Sequence, residues 1–187
     1  MKINLPNQIT IARLFIAIIF FACLAQFSIR REEPMMWLLD VSAALFIVAA
    51  VTDAFDGYLA RKYNQVTSFG RIIDPFVDKV LVCGAYIYMA GDGFIDAAGR
   101  NVGNVALWMV VVIIGRELLV TGLRGFTEAQ GQSFGANIYG KAKMVLQSVT
   151  VVWILITVAH PEGLFGFALF QTGRGVMVWI TVAVTLL

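Results

Sequence analysis

Four aspartates stand in two pairs, Asp53/Asp56 and Asp74/Asp78, within the 26-residue stretch DAFDGYLARKYNQVTSFGRIIDPFVD. Residues three or four apart share a helix face, so the stretch predicts two carboxylates projecting from one helix and two from the next. A third of the chain's 12 acidic residues fall here. Both pairs lie at or beside apolar runs, where an unpartnered carboxylate is costly. A cation held between the pairs is the simplest partner. Carboxylate oxygens are the ligands of hard cations, and Arg61 and Lys79 supply the charge a phosphate group wants. Ala54, Gly57, Ala60 and Gly70 leave room for phosphates to approach the backbone. Metal ions bridging phosphate oxygens would neutralise a leaving group, and one carboxylate could take the proton of an attacking hydroxyl. The expected chemistry is metal-assisted transfer of a phosphate-linked group.

In a soluble protein, paired acids at a helix end are more often a solvated face or a salt-bridged cap. Composition argues against that setting. Hydrophobic residues make up 59% of the 187 and charged residues 14%, against about 45–50% and about 25% in ordinary soluble domains. With a mean hydropathy of +0.81, the chain is expected to be an all-α integral membrane protein forming one domain over residues 1–187. A net charge of +2 is too small to argue for nucleic acid. Cys23 and Cys83 fall inside predicted spans and read as packing residues. The single histidine, His160, reads as interfacial. No cleavage site of a secretory leader follows the first apolar run.

Six apolar segments must position the acids. The first runs from about residue 8 to 27 after the helix-starting Pro6 and Asn7, and carries Arg13, which could either snorkel to the interface or point into a polar site. The second runs from about 35 to 63, with Asp53 and Asp56 near its far end. The third runs from about 69 to 90, where Pro75 must sit in a first turn or make a kink. A glycine-rich loop, residues 91–104, is expected to leave Asp92 and Asp96 solvated. The fourth starts near 105, is interrupted by Arg116, Glu117 and Arg124, and heads towards 126. Arg116 and Glu117 are adjacent, so they need not pair, whereas Arg124 lies on a face similar to Arg116's. Lys141, Lys143 and Gln147 open the fifth, which ends near 159. The sixth is least clear: residues 174–187 are short for a crossing, and 166–187 contain Gln171 and Arg174.

Six spans put both termini on one side. With them lie Lys2, Arg13, Arg61, Lys62, Arg71, Lys79, Arg116, Arg124, Lys141 and Lys143, against Arg30, Arg31, Arg100 and Arg174 opposite. Under the positive-inside rule the termini, and the site with them, face the cytoplasm. A cation- or proton-coupled transporter also places acids in spans. Pairs of acids on adjacent helices beside arginines suit anionic phosphate chemistry better than a conduction path.

The pattern Asp53-x2-Asp56-Gly57-x2-Ala60-Arg61-x8-Gly70-x3-Asp74-x3-Asp78 resembles the signature of the CDP-alcohol phosphotransferase family at every position and spacing. The resemblance implies six transmembrane helices in the cell's inner (cytoplasmic) membrane, a site open to the cytoplasm, and transfer of a phosphatidyl or related group from a CDP-linked donor to an alcohol with release of CMP. It implies Asp53, Asp56 and Asp74 as ligands of Mg2+ or Mn2+, with two ions bound. Asp78 would be the catalytic base and contribute to the metal set. Gly57, Ala60 and Gly70 would make room for the nucleotide, Arg61 would hold the diphosphate, and the enzyme would be a homodimer.

Outside the signature, LPNQITIAR, GRELLVTGLR and GKAKMVLQ resemble those members that accept glycerol 3-phosphate and make phosphatidylglycerophosphate from CDP-diacylglycerol in phospholipid biosynthesis. On this resemblance Asn7 and Thr10 contact the nucleotide, and Arg116, Arg124, Lys141 and Lys143 receive the acceptor's phosphate. These matches are looser than the signature, so another acceptor, an inositol phosphate or serine, stays open. Snorkelling to the interface is the competing reading of each basic residue.

Overall fold

The structure, a computed structural model, describes residues 5–62, 68–130, 138–161 and 169–186. They form six α-helices: α1 (Leu5–Gln26), α2 (Trp37–Lys62), α3 (Ser68–Ala90), α4 (Leu107–Ala129), α5 (Ile138–Ala159) and α6 (Leu169–Leu186). Each falls on one of the six apolar segments. The turn expected at residues 64–68 lies largely outside the described residues. Pro75 lies well inside α3 rather than in its first turn, so the helix passes through it without the hydrogen bond its nitrogen cannot donate.

The helices close into a ring in the order α1, α2, α5, α6, α4, α3 and back to α1, with α3 also touching α5. Side chains facing the middle recur at intervals of three and four, the period of one helix face. On α1 these are Thr10, Arg13, Ala17, Phe20 and Leu24; on α5 they are Lys143, Gln147, Thr150, Ile154 and Val158. Phe20 and Phe46 meet at the core with ring centroids 5.7 Å apart. Buried hydroxyls and amides are paired across helices: Thr150 with Thr181 at 2.7 Å, Gln147 Nε2 donating to Thr185 Oγ1 at 3.2 Å. Tyr86 of α3 donates to the carbonyl of Gln147 on α5 at 3.2 Å.

The outer faces are apolar too. Phe15 and Ile18 on α1, Leu107 and Val111 on α4, and Val176 and Trp179 on α6 are each more than half exposed, far more apolar surface than a soluble monomer displays. Among the described residues, α1 and α5 each contain an 18-residue stretch apolar enough to cross a membrane, Ile9–Gln26 and Ala142–Ala159.

The loop between α3 and α4 is more ordered than its glycine content predicts. A short 3-10 turn (Asp92–Phe94) buries Phe94 against Phe27, with ring centroids 5.1 Å apart. Ile95 bridges to Asn101, whose side chain donates to the carbonyl of Met89 at 2.8 Å. Asp96 is a turn-forming acid rather than a merely solvated one. It accepts the backbone N–H of Arg100 at 2.8 Å and pairs with its guanidinium at 3.1 Å. That backbone N–H first, and the Arg100 side chain after it, hold the Asp96 carboxyl below its usual value. At the same end His160, after α5, lies 2.9 Å from Asp40 of α2, while Arg174 of α6 donates to the carbonyl of Val102.

Candidate active site

At the other end of the bundle the inward faces turn polar. Arg13 continues the buried stripe of α1, and Asp53 stands four residues beyond the buried Ala49 of α2. Asp78 stands three residues before the buried Leu81 of α3. Direct contact between α2 and α3 is sparse among the described residues, and α1 packs against both. From there Arg13, wholly buried, reaches both acids: its Nη1 lies 2.5 Å from Asp53 Oδ1 and 3.0 Å from Asp78 Oδ1. The two carboxylates keep 31% and 26% of their exposure, so the ion-paired centre stays open on one side. Close approach of α1 to α3 makes this reach possible. At Gly84 a Cβ would stand 2.4 Å from the Phe21 ring, so any larger residue there would require that ring to shift.

Two aspartates of the signature, one from each pair and from different helices, thus converge on a single positive nitrogen. Their donors are carboxylate oxygens, the class preferred by Mg2+ and Mn2+. In this structure the two carboxylates meet on Arg13, and among the described residues no group of three or more metal-ligating side chains gathers. The side chains of Asn7, Asp56, Gly57, Ala60, Arg61, Gly70, Asp74 and Lys141 lie outside the described residues; Asp56 belongs to α2 and Asp74 to α3. Thr10, one turn before Arg13, is buried on the same face of α1.

A second polar cluster lies across α3. Lys79, the residue after Asp78, donates to Thr121 Oγ1 of α4, and Thr121 in turn donates to the Glu117 carbonyl at 2.7 Å. One turn back, Glu117 Oε1 is ion-paired with Lys143 of α5 and lies 3.7 Å from Arg116 Nη1. Lys143 is 4% exposed. Arg116 and Lys143, both expected to receive the acceptor's phosphate, are therefore brought together, whereas Arg124 is exposed two turns further along α4.

Sequence reasoning left Arg13 undecided and gave Glu117 no role. Adjacent Arg116 and Glu117 do approach each other, by turning towards Lys143. Their signal was available: Thr10 and Arg13 share a face of an otherwise apolar helix, and Glu117 is an acid between two basic residues of α4, Arg116 and Arg124.

Carboxylates and cations gathered inside one end of an apolar helical bundle suit the class of enzymes that act on anionic substrates. The chain belongs to the CDP-alcohol phosphatidyltransferase family, whose model matches residues 3–187. Membership makes it a transferase and sets aside the reading of the interior acids as a conduction path.

Among relatives, it is similar to the CDP-diacylglycerol–glycerol-3-phosphate 3-phosphatidyltransferase of Bacillus subtilis (strain 168), 41% identical over 160 residues, which is 82% of this chain and 77% of that one. The protein of the same name from Rickettsia felis is 39% identical over 145 residues, 77% and 70% of the two chains. That from Salmonella choleraesuis is 30% identical over 189 residues, 96% and 91%.

Proposed function

We propose that this chain transfers the phosphatidyl group of CDP-diacylglycerol to glycerol 3-phosphate, giving phosphatidylglycerophosphate and CMP in phospholipid biosynthesis. The observation that carries the reading is the convergence of Asp53 and Asp78 on Arg13 beside the Arg116–Glu117–Lys143 cluster, in a chain whose relatives bear that activity as their name. An acidic, cation-seeking centre suits the diphosphate of the donor. A basic cluster one helix away suits a dianionic acceptor.

In this reading Asp53, Asp56, Asp74 and Asp78 hold Mg2+ or Mn2+, two ions in all, which when bound neutralise the diphosphate and the departing CMP. Arg13 keeps Asp53 and Asp78 in register from the α1 side. Lys143 and Arg116 hold the acceptor's phosphate, aided by Arg124 and Lys141, and Asn7, Thr10, Gly57, Ala60, Arg61 and Gly70 accommodate the nucleotide. Asp78 takes the proton of the acceptor hydroxyl. The hydroxyl oxygen bonds to the phosphorus that carries diacylglycerol, the diphosphate bond on its far side breaks, and CMP leaves with the electron pair.

The same reading makes all six helices transmembrane in the inner membrane, with the site on the cytoplasmic side. It is supported by the basic residues at that end and by the apolar outer faces. A homodimer belongs to it by family resemblance.

The test is CMP release by the purified chain in detergent with CDP-diacylglycerol, Mg2+ or Mn2+, and one alcohol at a time. Release with glycerol 3-phosphate alone is expected. Release only with serine or an inositol phosphate would keep the aspartate chemistry and discard the acceptor assignment.

A further inference from the structure

We propose that Glu117 is the positioning residue of the acceptor site, the counter-ion that fixes the Lys143 ammonium and the Arg116 guanidinium as one anion receptor. The proposal rests on the acceptor reading above and assigns a role to an acid outside the family signature. Three helices meet here. Glu117 of α4 takes both cations on one oxygen, Oε1, and Lys79 of α3 is tied to the same helix one turn on, through Thr121.

A nearly buried ammonium without a carboxylate beside it is expensive and will turn away or give up its charge. With Glu117 in place the ammonium is held in an ion pair. A lysine ammonium has three donors and a guanidinium five; Glu117 engages one atom of each, Nζ and Nη1, leaving further N–H groups to a phosphate. Two cations (Arg116, Lys143) on one acid, with Lys79 held nearby through Thr121, leave the cluster net positive, which suits a dianion. Glu117 thus acts through its neighbours and makes no contact with substrate.

The experiment is steady-state kinetics of the full chain in detergent for Glu117→Gln, Glu117→Asp, Lys143→Met and the Glu117→Gln/Lys143→Met double variant, with glycerol 3-phosphate and CDP-diacylglycerol each varied. Glu117→Gln should raise the KM for glycerol 3-phosphate by roughly ten- to a hundredfold, the scale of a lost charge-assisted contact. The KM for CDP-diacylglycerol should stay within about twofold of wild type, since the aspartate centre keeps its own contacts. Glu117→Asp should recover part of the loss, and the double variant should be no worse than Lys143→Met alone.

An unchanged or lowered KM for glycerol 3-phosphate would overturn the proposal, and so would additive losses in the double variant. Parallel loss of kcat and of both KM values, with a lowered Tm, would make Glu117 a folding residue and overturn it equally. If wild type itself neither uses nor binds glycerol 3-phosphate, the acceptor reading fails first and takes this role with it. A wild type that turns over normally beside an unaffected Glu117→Gln would sink the positioning role alone.

Discussion

Replacing Arg13 by methionine keeps an unbranched apolar stem and removes the guanidinium, with its charge and its hydrogen-bond donors. Arg13 is wholly buried and touches Asp53 and Asp78 at 2.5 and 3.0 Å. Removing one partner of a fully buried ion pair costs about 3–5 kcal/mol. Here the carboxylates retain 31% and 26% exposure, and water reaching them reduces the loss to about 2 kcal/mol. For a chain of this length that corresponds to a fall in Tm of about 4–8 °C.

The loss should also depend on metal. Without Arg13 the two carboxylates repel each other, and a divalent cation can take over the neutralisation. Thermal unfolding in detergent, followed by intrinsic fluorescence with EDTA or with Mg2+, reads both effects. Arg13→Met should melt several degrees below wild type in EDTA and gain more than wild type from Mg2+. A variant that melts with wild type in EDTA and gains no more from Mg2+ would refute the bridging role of Arg13 and the convergence inferred from it.

Asp78→Asn should abolish CMP release while sparing binding of the CDP-lipid, measured by titration with a non-reactive analogue; near-normal turnover would remove Asp78 as the base. Asp53→Ala should weaken Mg2+-dependent donor binding in the same titration, and unaltered binding would exclude it from the metal set. Gly84→Leu should push α1 from α3 at Phe21, cost about 1–3 kcal/mol by overpacking and lower activity by separating Arg13 from Asp78. Phe21→Ala in the same chain should restore part of both, and failure to do so would show that the contact does not set the helix spacing. Arg124→Ala should raise the KM for glycerol 3-phosphate more than that for CDP-diacylglycerol. Equal or no change would leave Arg124, exposed on α4, as an interfacial residue.

The first five helices were legible because their apolar runs are long and bounded by charge, glycine or proline, whereas the sixth was least clear because Gln171 and Arg174 interrupt its run. Spacing alone put Asp53 and Asp78 on consecutive helices; these touch only sparsely among the described residues, and α1 packs against both and joins the acids through Arg13. What spacing could not give was rotation. In a soluble helix the apolar stripe marks the inward face, but here the outer residues, such as Phe15 and Ile18, are as apolar as the inner ones, such as Phe20. Periodicity on α1 therefore did not tell whether Arg13 faced the core or the interface. The polar residues carry that information instead: Thr10 and Arg13 share the buried face.

Glu117 was illegible for a different reason. Adjacency to Arg116 says nothing about a lysine 26 positions later, and only the packing of α4, α3 and α5 brings the two together. Asp96 looked solvated because a glycine-rich loop gives no hint that a turn will close on Arg100. The loop closes because Phe94 has a buried place beside Phe27.

Incubating the purified chain with CDP-diacylglycerol, Mg2+ and isotopically labelled glycerol 3-phosphate, then identifying the lipid product by mass spectrometry, tests the central claim most directly. The account predicts labelled phosphatidylglycerophosphate and CMP in equal amounts, both lost in Asp78→Asn. CMP released without label in the lipid, or label transferred equally well by Asp78→Asn, would contradict it.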